Sequence, residues 1–166
     1  MASEQNALPP TPDEELLRLK LLWYFACTTP LIYLLIAHGV QVVWFDRPGY
    51  SGGFSSLSAR HGRLLLGILV TAALAIALWL AYWRWKPFEI PSLPSDQKPI
   101  TALLALFKRR VFSMMALSDL TAASGLIIFL LTANMRALLL GGCAAYLMLL
   151  IAYPARTWFL QASKRL

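Results

Sequence analysis

The stretch LLLGILVTAALAIALWLAYW, residues 64–83, decides the fold class of this chain. It contains no Asp, Glu, Lys or Arg. At about 1.5 Å per residue, a helix of this length spans about 30 Å, which is the thickness of the hydrocarbon core of a bilayer. Residues 64–83 therefore predict a transmembrane helix.

Three further apolar blocks lie on either side of this stretch, at about residues 21–45, 111–131 and 137–153. Of the 166 residues, 58% are hydrophobic and 14% are charged, whereas a soluble domain carries about 25% charged residues. The sequence thus predicts an all-α integral membrane protein, a single domain whose four transmembrane helices form a bundle in contact with lipid.

The segments between the blocks predict the remaining organisation. Residues 1–15 are expected to form a tail, and residues 46–62, rich in Gly and Ser, a loop on the far side of the membrane. Residues 86–110 are predicted to be a linker that contains four prolines. From Ile100 onward this linker is expected to form an amphipathic helix that lies in the membrane interface. Spans three and four are close in sequence and predict an antiparallel hairpin.

The first span carries helix signals near its start and middle. Thr11 or Asp13 is a candidate N-cap for a helix that begins near residue 14. Pro30 lies within the span, and Thr28 and Thr29 are expected to satisfy the backbone groups that it frees. The block is longer than the hydrocarbon core requires, so tilt or a kink is expected.

The basic residues predict the orientation. With four spans, both termini and the middle linker share one side of the membrane. The basic residues on that side number 11: Arg18, Lys20, Arg84, Lys86, Lys98, Lys108, Arg109, Arg110, Arg156, Lys164 and Arg165. The opposite side has 4, which are Arg47, Arg60, Arg63 and Arg136. Since Lys and Arg accumulate in cytoplasmic loops, we expect both termini in the cytoplasm and the protein in a bacterial inner membrane.

Several functional classes are disfavoured. The net charge is +7, but the basic residues lie between the apolar blocks. They do not form a basic stripe with stacking aromatic residues, which argues against nucleic-acid binding. The run Lys108-Arg109-Arg110 is interpreted as a contact with anionic lipid headgroups or, alternatively, with an acidic partner. Cys27 and Cys143 lack metal-site spacing. No serine has a base at suitable spacing, so the chain is expected to be non-enzymatic.

Two stripes of small residues recur at every fourth position. Gly67, Thr71 and Ala75 form one stripe in the second span. The second stripe lies in the fourth span and consists of Ala137, Gly141 and Ala145. Small residues let helix backbones approach closely within lipid, so both stripes predict helix packing.

Asp119 is the one acidic residue inside a predicted span. A carboxylate at the centre of a transmembrane helix costs about 2.5–3.5 kcal/mol on insertion scales, which makes it a candidate proton or ion site. Two structural alternatives remain open. The third span begins later and leaves Asp119 near the headgroups, or Asp119 hydrogen-bonds Ser118, Thr121 or a neighbouring helix.

Asp119, then five intervening residues, then Gly125-Leu126 and an aliphatic run resembles the proton-carrying helix of rotary-ATPase c (proteolipid) subunits. The whole layout is similar to uncharacterised bacterial four-helix membrane proteins whose last span ends in an aromatic residue, Pro and a basic residue, as in residues 153–156. The resemblance implies a proton-carrying role for Asp119. The long 86–110 linker and the single glycine of span two depart from a c subunit.

His38 is the second candidate site, with Gln41 nearby in the first span. A neutral imidazole in lipid can ligate the metal of a chlorophyll or a haem, and His61 would be a second axial ligand. The alternative is a His38 that hydrogen-bonds Gln41, Thr71 or a backbone carbonyl.

Three functions follow as expectations. The first is a non-enzymatic accessory subunit that packs against other membrane-protein subunits in a larger complex, by analogy an energy-transducing assembly, photosynthetic or respiratory. The second is a small proton- or ion-handling protein that uses Asp119. The third is a pigment- or haem-binding protein that uses His38.

Overall fold

The computed structural model describes residues 11–45, 59–86 and 99–163. Its helices are α1 (Pro12–Val40), α2 (Ala59–Trp85), α3 (Pro99–Thr132), α4 (Met135–Ala152) and the short α5 (Arg156–Ser163). A π-helical turn, Gln41–Phe45, extends α1. The predicted tail before residue 11, the 46–58 part of the far-side loop, the 87–98 part of the linker and residues 164–166 lie outside the described residues.

Four of these helices are long and apolar enough to cross a membrane. They include all four predicted spans, and the described residues contain no strand. The prediction of an all-α, four-helix, multi-pass membrane protein is confirmed.

The start of α1 is fixed by a local hydrogen-bond pair. Thr11 is the N-cap: its hydroxyl accepts from the Glu14 backbone N–H, and the Glu14 carboxylate accepts from the Thr11 backbone N–H at 3.0 Å. This capping box satisfies two backbone donors of the first turn. Of the two predicted caps, Thr11 is therefore the one used.

Pro30 lies within α1 and does not end the helix. Proline removes one backbone donor and strains the preceding turn. The Tyr146 hydroxyl of α4 donates to the Cys27 carbonyl at 3.0 Å, and Thr28 donates to the Phe25 carbonyl at 2.7 Å. Thr28 of α1 and Tyr146 of α4 thus donate to carbonyls in the turn before Pro30. The sequence predicted Thr28 and Thr29 as the side chains near Pro30 that take this role.

The third helix differs from its prediction. The structure joins the expected interfacial helix and the third span in one continuous helix, α3. Pro99 stands at its first position, where proline is tolerated, and no proline interrupts residues 100–132. Leu103 and Phe107 are fully buried, and the Phe107 ring contacts Trp158 and Phe159 of α5. This packing holds the first turns of α3 in line with the span.

Helices α3 and α4 form the predicted antiparallel hairpin at the centre of the bundle. Their connection is Ala133-Asn134, where Ala133 has a positive φ of 55° and the Asn134 side chain caps α4. Helices α1 and α2 each pack against both helices of the hairpin, and no extensive contact joins α1 to α2 within the described residues. They therefore occupy opposite grooves of the hairpin.

We call the basic end the end of the bundle where α1 and α3 begin and α2 and α4 finish. Ion pairs Glu15–Lys108 and Asp13–Arg156 join the start of α1 to α3 and α5 there. The opposite end carries the α3–α4 connection and is called the turn end. Because α3 is about 50 Å long, it extends well beyond a 30 Å hydrocarbon core at the basic end.

Candidate functional site

Asp119 lies near the middle of the apolar stretch 111–131 of α3. It is about 15 Å along the helix from Arg109 and about 20 Å from Thr132, where α3 ends. The helix is continuous from Pro99, so α3 does not begin near Asp119, which is separated from both ends of α3 by several turns. The level at which α3 enters the bilayer is not fixed by the helix bounds, so a late start of the third span stays a prediction.

The Asp119 side chain is exposed on the outer surface of the bundle, beside α1. The Tyr33 hydroxyl donates to Asp119 Oδ1 at 3.1 Å. Within the part of the chain that the structure describes, no second donor reaches this carboxylate. Asp119 thus bonds a neighbouring helix, as one of the two structural alternatives expected.

The polar neighbours of Asp119 point the other way, into the hairpin. The Ser118 hydroxyl is buried and donates to the Ala145 carbonyl at 2.7 Å. Thr121 is also buried, and its hydroxyl donates to the Leu117 carbonyl at 2.9 Å. The suggestion that Asp119 pairs with Ser118 or Thr121 is wrong, because these hydroxyls lie on the opposite face of α3.

The small-residue stripe of α4 lies in the α3–α4 interface. Ala137, Gly141 and Ala145 are all buried. A Cβ added at Gly141 would lie 2.9 Å from the Gly125 Cα, and one added at Gly125 would lie 2.9 Å from the Ala137 carbonyl oxygen. The two backbones therefore touch at Gly125 and Gly141, and neither position has room for a side chain.

The small-residue stripe of α2 faces outward. Gly67, Thr71 and Ala75 are exposed, and a Cβ added at Gly67 would meet nothing within 4 Å. The Thr71 hydroxyl donates to the Gly67 carbonyl of its own helix at 2.9 Å. Helix α2 packs on the hairpin through the opposite face, which carries Leu69 and Leu80. Packing by this stripe stays a prediction, because no helix among the described residues covers it.

His38 is exposed on α1, one turn before the π-helical turn at Gln41. His61 is exposed at the start of α2. The two histidines belong to helices in opposite grooves of the hairpin, and their pairing as haem ligands stays a prediction. Among the described residues, no three His, Cys, Asp or Glu side chains form a metal-binding group. Pigment or haem binding by His38 stays a prediction.

The run Lys108-Arg109-Arg110 divides between three environments. Lys108 pairs with Glu15 of α1, and Arg109 is exposed. Arg110 is 8% exposed and donates to the Trp83 and Lys86 carbonyls at 3.1 and 2.8 Å. A guanidinium at the C-terminal end of a helix satisfies unpaired carbonyls and stabilises the helix dipole. Arg110 therefore caps α2, and Arg109 is the one member of the run left at the surface.

Two further side chains bond the end of α4. Pro154 has no N–H to donate back to α4, and the last carbonyls of that helix need other donors. Arg84 of α2 donates to the Ile151 carbonyl and to the Tyr153 carbonyl. The Trp23 indole of α1 donates to the Leu149 carbonyl at 2.7 Å. Sequence reasoning missed these bonds, although a proline just after an apolar span signals that such carbonyls exist.

The described part of the chain thus has three outward features for a functional role: the Tyr33–Asp119 pair, the α2 stripe and His38. Comparison of the chain with protein-family models, with curated proteins and with solved structures gives no match.

Proposed function

We propose that this chain is a non-enzymatic accessory subunit of a larger membrane complex. The observation that carries the proposal is the outward position of Asp119 halfway along a membrane-spanning helix. Lipid offers no hydrogen bonds, and polar groups at this depth normally face the interior of a bundle or of an assembly. A second membrane protein that covers Asp119 turns an exposed polar group into an interior one.

The outward stripe of Gly67, Thr71 and Ala75 supports the same proposal. Small residues contribute little to packing against flexible lipid chains, but they let another helix approach closely. The chain then has two outer regions suited to protein contacts, one on α3 beside α1 and one on α2. By analogy alone, the class of complex that we propose is an energy-transducing assembly.

Purification of the tagged full chain in mild detergent tests the proposal. We expect wild-type protein to co-migrate with other membrane proteins in a fixed ratio, measured by native electrophoresis and mass spectrometry. Asp119→Leu should lower that ratio, whereas Leu147→Ala, an exposed position on α4, should leave it unchanged. A wild-type chain that migrates alone, in detergent and in lipid nanodiscs, contradicts the proposal.

A second candidate function is proton or ion handling by Asp119. The observation that favours it is the Tyr33–Asp119 hydrogen bond, which orients a carboxylate whose other oxygen has no described donor. The purified chain, reconstituted alone in vesicles with an internal pH dye, should then collapse an imposed pH gradient. Asp119→Asn should abolish this flux without changing assembly. Proton flux through the wild-type chain that is lost in Asp119→Asn would replace the accessory-subunit proposal. Wild-type vesicles that keep their pH gradient would exclude proton handling by Asp119.

The orientation that we propose places both termini in the cytoplasm of a bacterial cell. The excess of 11 basic residues over 4 supports it. A fluorescent protein fused to the C-terminus folds in the cytoplasm and not after export to the periplasm. We expect this fusion to fluoresce, while an alkaline phosphatase fusion at the same position stays inactive. The reverse pattern would invert the orientation.

A further inference from the structure

On the outer face of α3, the side chains next to Asp119 are smaller than those farther along the helix. Ala116 and Ala123, one turn away on either side, are small and lie at least partly at the surface. Phe112 and Ile127, about two turns away, are large and are 44% and 55% exposed. Residues three or four apart share a helix face, so these five form one continuous strip. A second helix can approach α3 most closely at the level of Asp119.

The hydrogen-bonding capacity of Asp119 is incompletely used by the chain. A carboxylate has about four acceptor positions, and the Tyr33 hydroxyl fills one of them. The described ion pairs, Glu15–Lys108 and Asp13–Arg156, lie at the basic end and do not include Asp119. No other donor among residues 11–45, 59–86 and 99–163 reaches this carboxylate, which leaves room for donors from another protein or from a water that a covering protein encloses.

The free-energy cost of placing a charged side chain in lipid indicates which kind of donor would pair with Asp119. An acidic and a basic side chain that meet in the membrane neutralise each other, and each removes the other's insertion penalty. A charged donor also forms the stronger hydrogen bond, since charge-assisted bonds are about twice as strong as neutral ones. A lysine or an arginine therefore fits Asp119 better than a hydroxyl or an amide.

A second copy of this chain does not offer such a group. The predicted spans 21–45, 64–83, 111–131 and 137–153 contain no lysine and no arginine. A copy that packed against Asp119 would therefore bring no lysine or arginine side chain to it at this depth. The occupant of this face is consequently a different protein.

We infer that the partner is a transmembrane helix of another chain that lies along α3 beside α1 and pairs a lysine or an arginine with Asp119. This inference rests on the proposed accessory role, and it adds the face and the chemistry of the partner. It requires that association depend on the charge of residue 119 and not only on apolar contact along the strip.

Designed transmembrane peptides test the charge dependence directly. The probes are three leucine-based peptides that differ at one central residue, which is Lys, Leu or Asp. Energy transfer between the labelled full chain and each labelled peptide in vesicles reports association. We expect the Lys peptide to bind wild-type protein about tenfold more tightly than the Leu peptide. Equal binding of the Lys and Leu peptides to folded wild-type protein would overturn the inference.

Variants at two positions sharpen this test. Asp119→Asn should bind the Lys and Leu peptides equally, and Asp119→Lys should reverse the preference in favour of the Asp peptide. Tyr33→Phe keeps the carboxylate and removes its internal donor, so it should retain the preference for the Lys peptide. Helix content and gel-filtration behaviour verify folding of each variant. If the Asp119 variants do not fold, the wild-type and Tyr33→Phe chains still decide the outcome.

Crosslinking in native membranes separates this inference from the proposed function. A photo-reactive amino acid replaces Leu120, next to Asp119, or Leu147, which is equally exposed on α4 at the same distance from the α3–α4 connection. We expect crosslinks to another protein from position 120 and fewer from position 147. Co-migration with partners but no crosslink from position 120 would overturn the inference alone. Crosslinks between copies of the chain at position 120 would also overturn it, while migration of the chain alone would overturn both.

Discussion

The α3–α4 hairpin and the outer helices α1 and α2 are held in the bundle by different means. In the hairpin, backbone lies against backbone at Gly125 and Gly141, with no side chain between them. The outer helices are attached by side chains that donate to backbone carbonyls, such as Trp23 of α1 and Arg84 of α2. Ser118 also donates across the hairpin, but close backbone contact occurs at Gly125 and Gly141, where the hairpin depends on the absence of side-chain volume. Helices α1 and α2 pack through larger side chains and add individual donors to that packing. The two attachments should respond differently to substitution.

The largest expected effect is on the hairpin. Gly141→Ala puts a Cβ 2.9 Å from the Gly125 Cα, and neither backbone can move without separating the helices. We expect a loss of about 3 kcal/mol in the free energy of unfolding, at the upper end of the usual range for overpacking. Unfolding by sodium dodecyl sulfate in mixed micelles, followed by circular dichroism, measures it.

Gly142→Ala is the matched control, because a Cβ at Gly142 would meet nothing within 4 Å. Alanine is the better helix former, so this variant should be neutral or more stable by up to about 1 kcal/mol. Equal losses in both variants would show that the hairpin does not depend on close backbone contact.

The next effect concerns the attachment of α2. Arg84→Gln shortens the side chain that donates to the Ile151 and Tyr153 carbonyls at the end of α4. We expect a loss of about 2 kcal/mol, the typical contribution of hydrogen bonds from a charged group. The same detergent titration measures it, and Arg109→Gln, at an exposed position, should change little. An unchanged Arg84→Gln variant would mean that the bonds from Arg84 do not attach α2 to the bundle.

How much of this could be read from the sequence depends on the range of the interaction. The four spans are predictable, because length and apolar content alone decide whether a helix can cross a bilayer. The N-cap Thr11 is predictable because its partner is three residues away. The Tyr33–Asp119 pair is not, since its partners are 86 residues apart and their meeting depends on how α1 packs.

The two small-residue stripes show a second limit. Gly67-Thr71-Ala75 and Ala137-Gly141-Ala145 have the same spacing, yet one faces outward and the other is buried. The difference comes from the partner face: α3 supplies a glycine opposite Gly141, whereas α2 packs through Leu69 and Leu80. Small residues at every fourth position identify a helix face that permits close packing. Whether that face is buried depends on the residues that a second helix places opposite it.

The attachment of α1 gives a smaller predicted effect. Trp23→Phe keeps an aromatic ring but removes the indole donor to the Leu149 carbonyl. We expect a loss of about 1 kcal/mol, typical of one neutral hydrogen bond. Trp85→Phe, at a position that is 83% exposed, is the control in the same titration. If the two variants lose equal stability, the bond from Trp23 does not attach α1.

The smallest expected effect is at the candidate site. Tyr33→Phe removes the donor to Asp119 Oδ1, and we expect a loss of about 0.6 kcal/mol, the average for hydrogen bonds between membrane helices. Tyr24→Phe, on the exposed surface of the same helix, should have no measurable effect. A loss at Tyr33 as large as that of Arg84→Gln would make Asp119 a structural anchor of α1 and would weaken its assignment to a partner.

The distance in sequence between Trp23 and Leu149 has a consequence for synthesis. The two residues that form this bond are 126 positions apart. At a translation rate of about 5–20 residues per second, α1 enters the membrane roughly 6–25 s before the carbonyl that it will bond has been made. The hairpin, whose helices are joined by two residues, assembles as soon as α4 emerges. The outer helices α1 and α2 are thus synthesised before α4, and the central hairpin is the part of the bundle whose sequence is completed last.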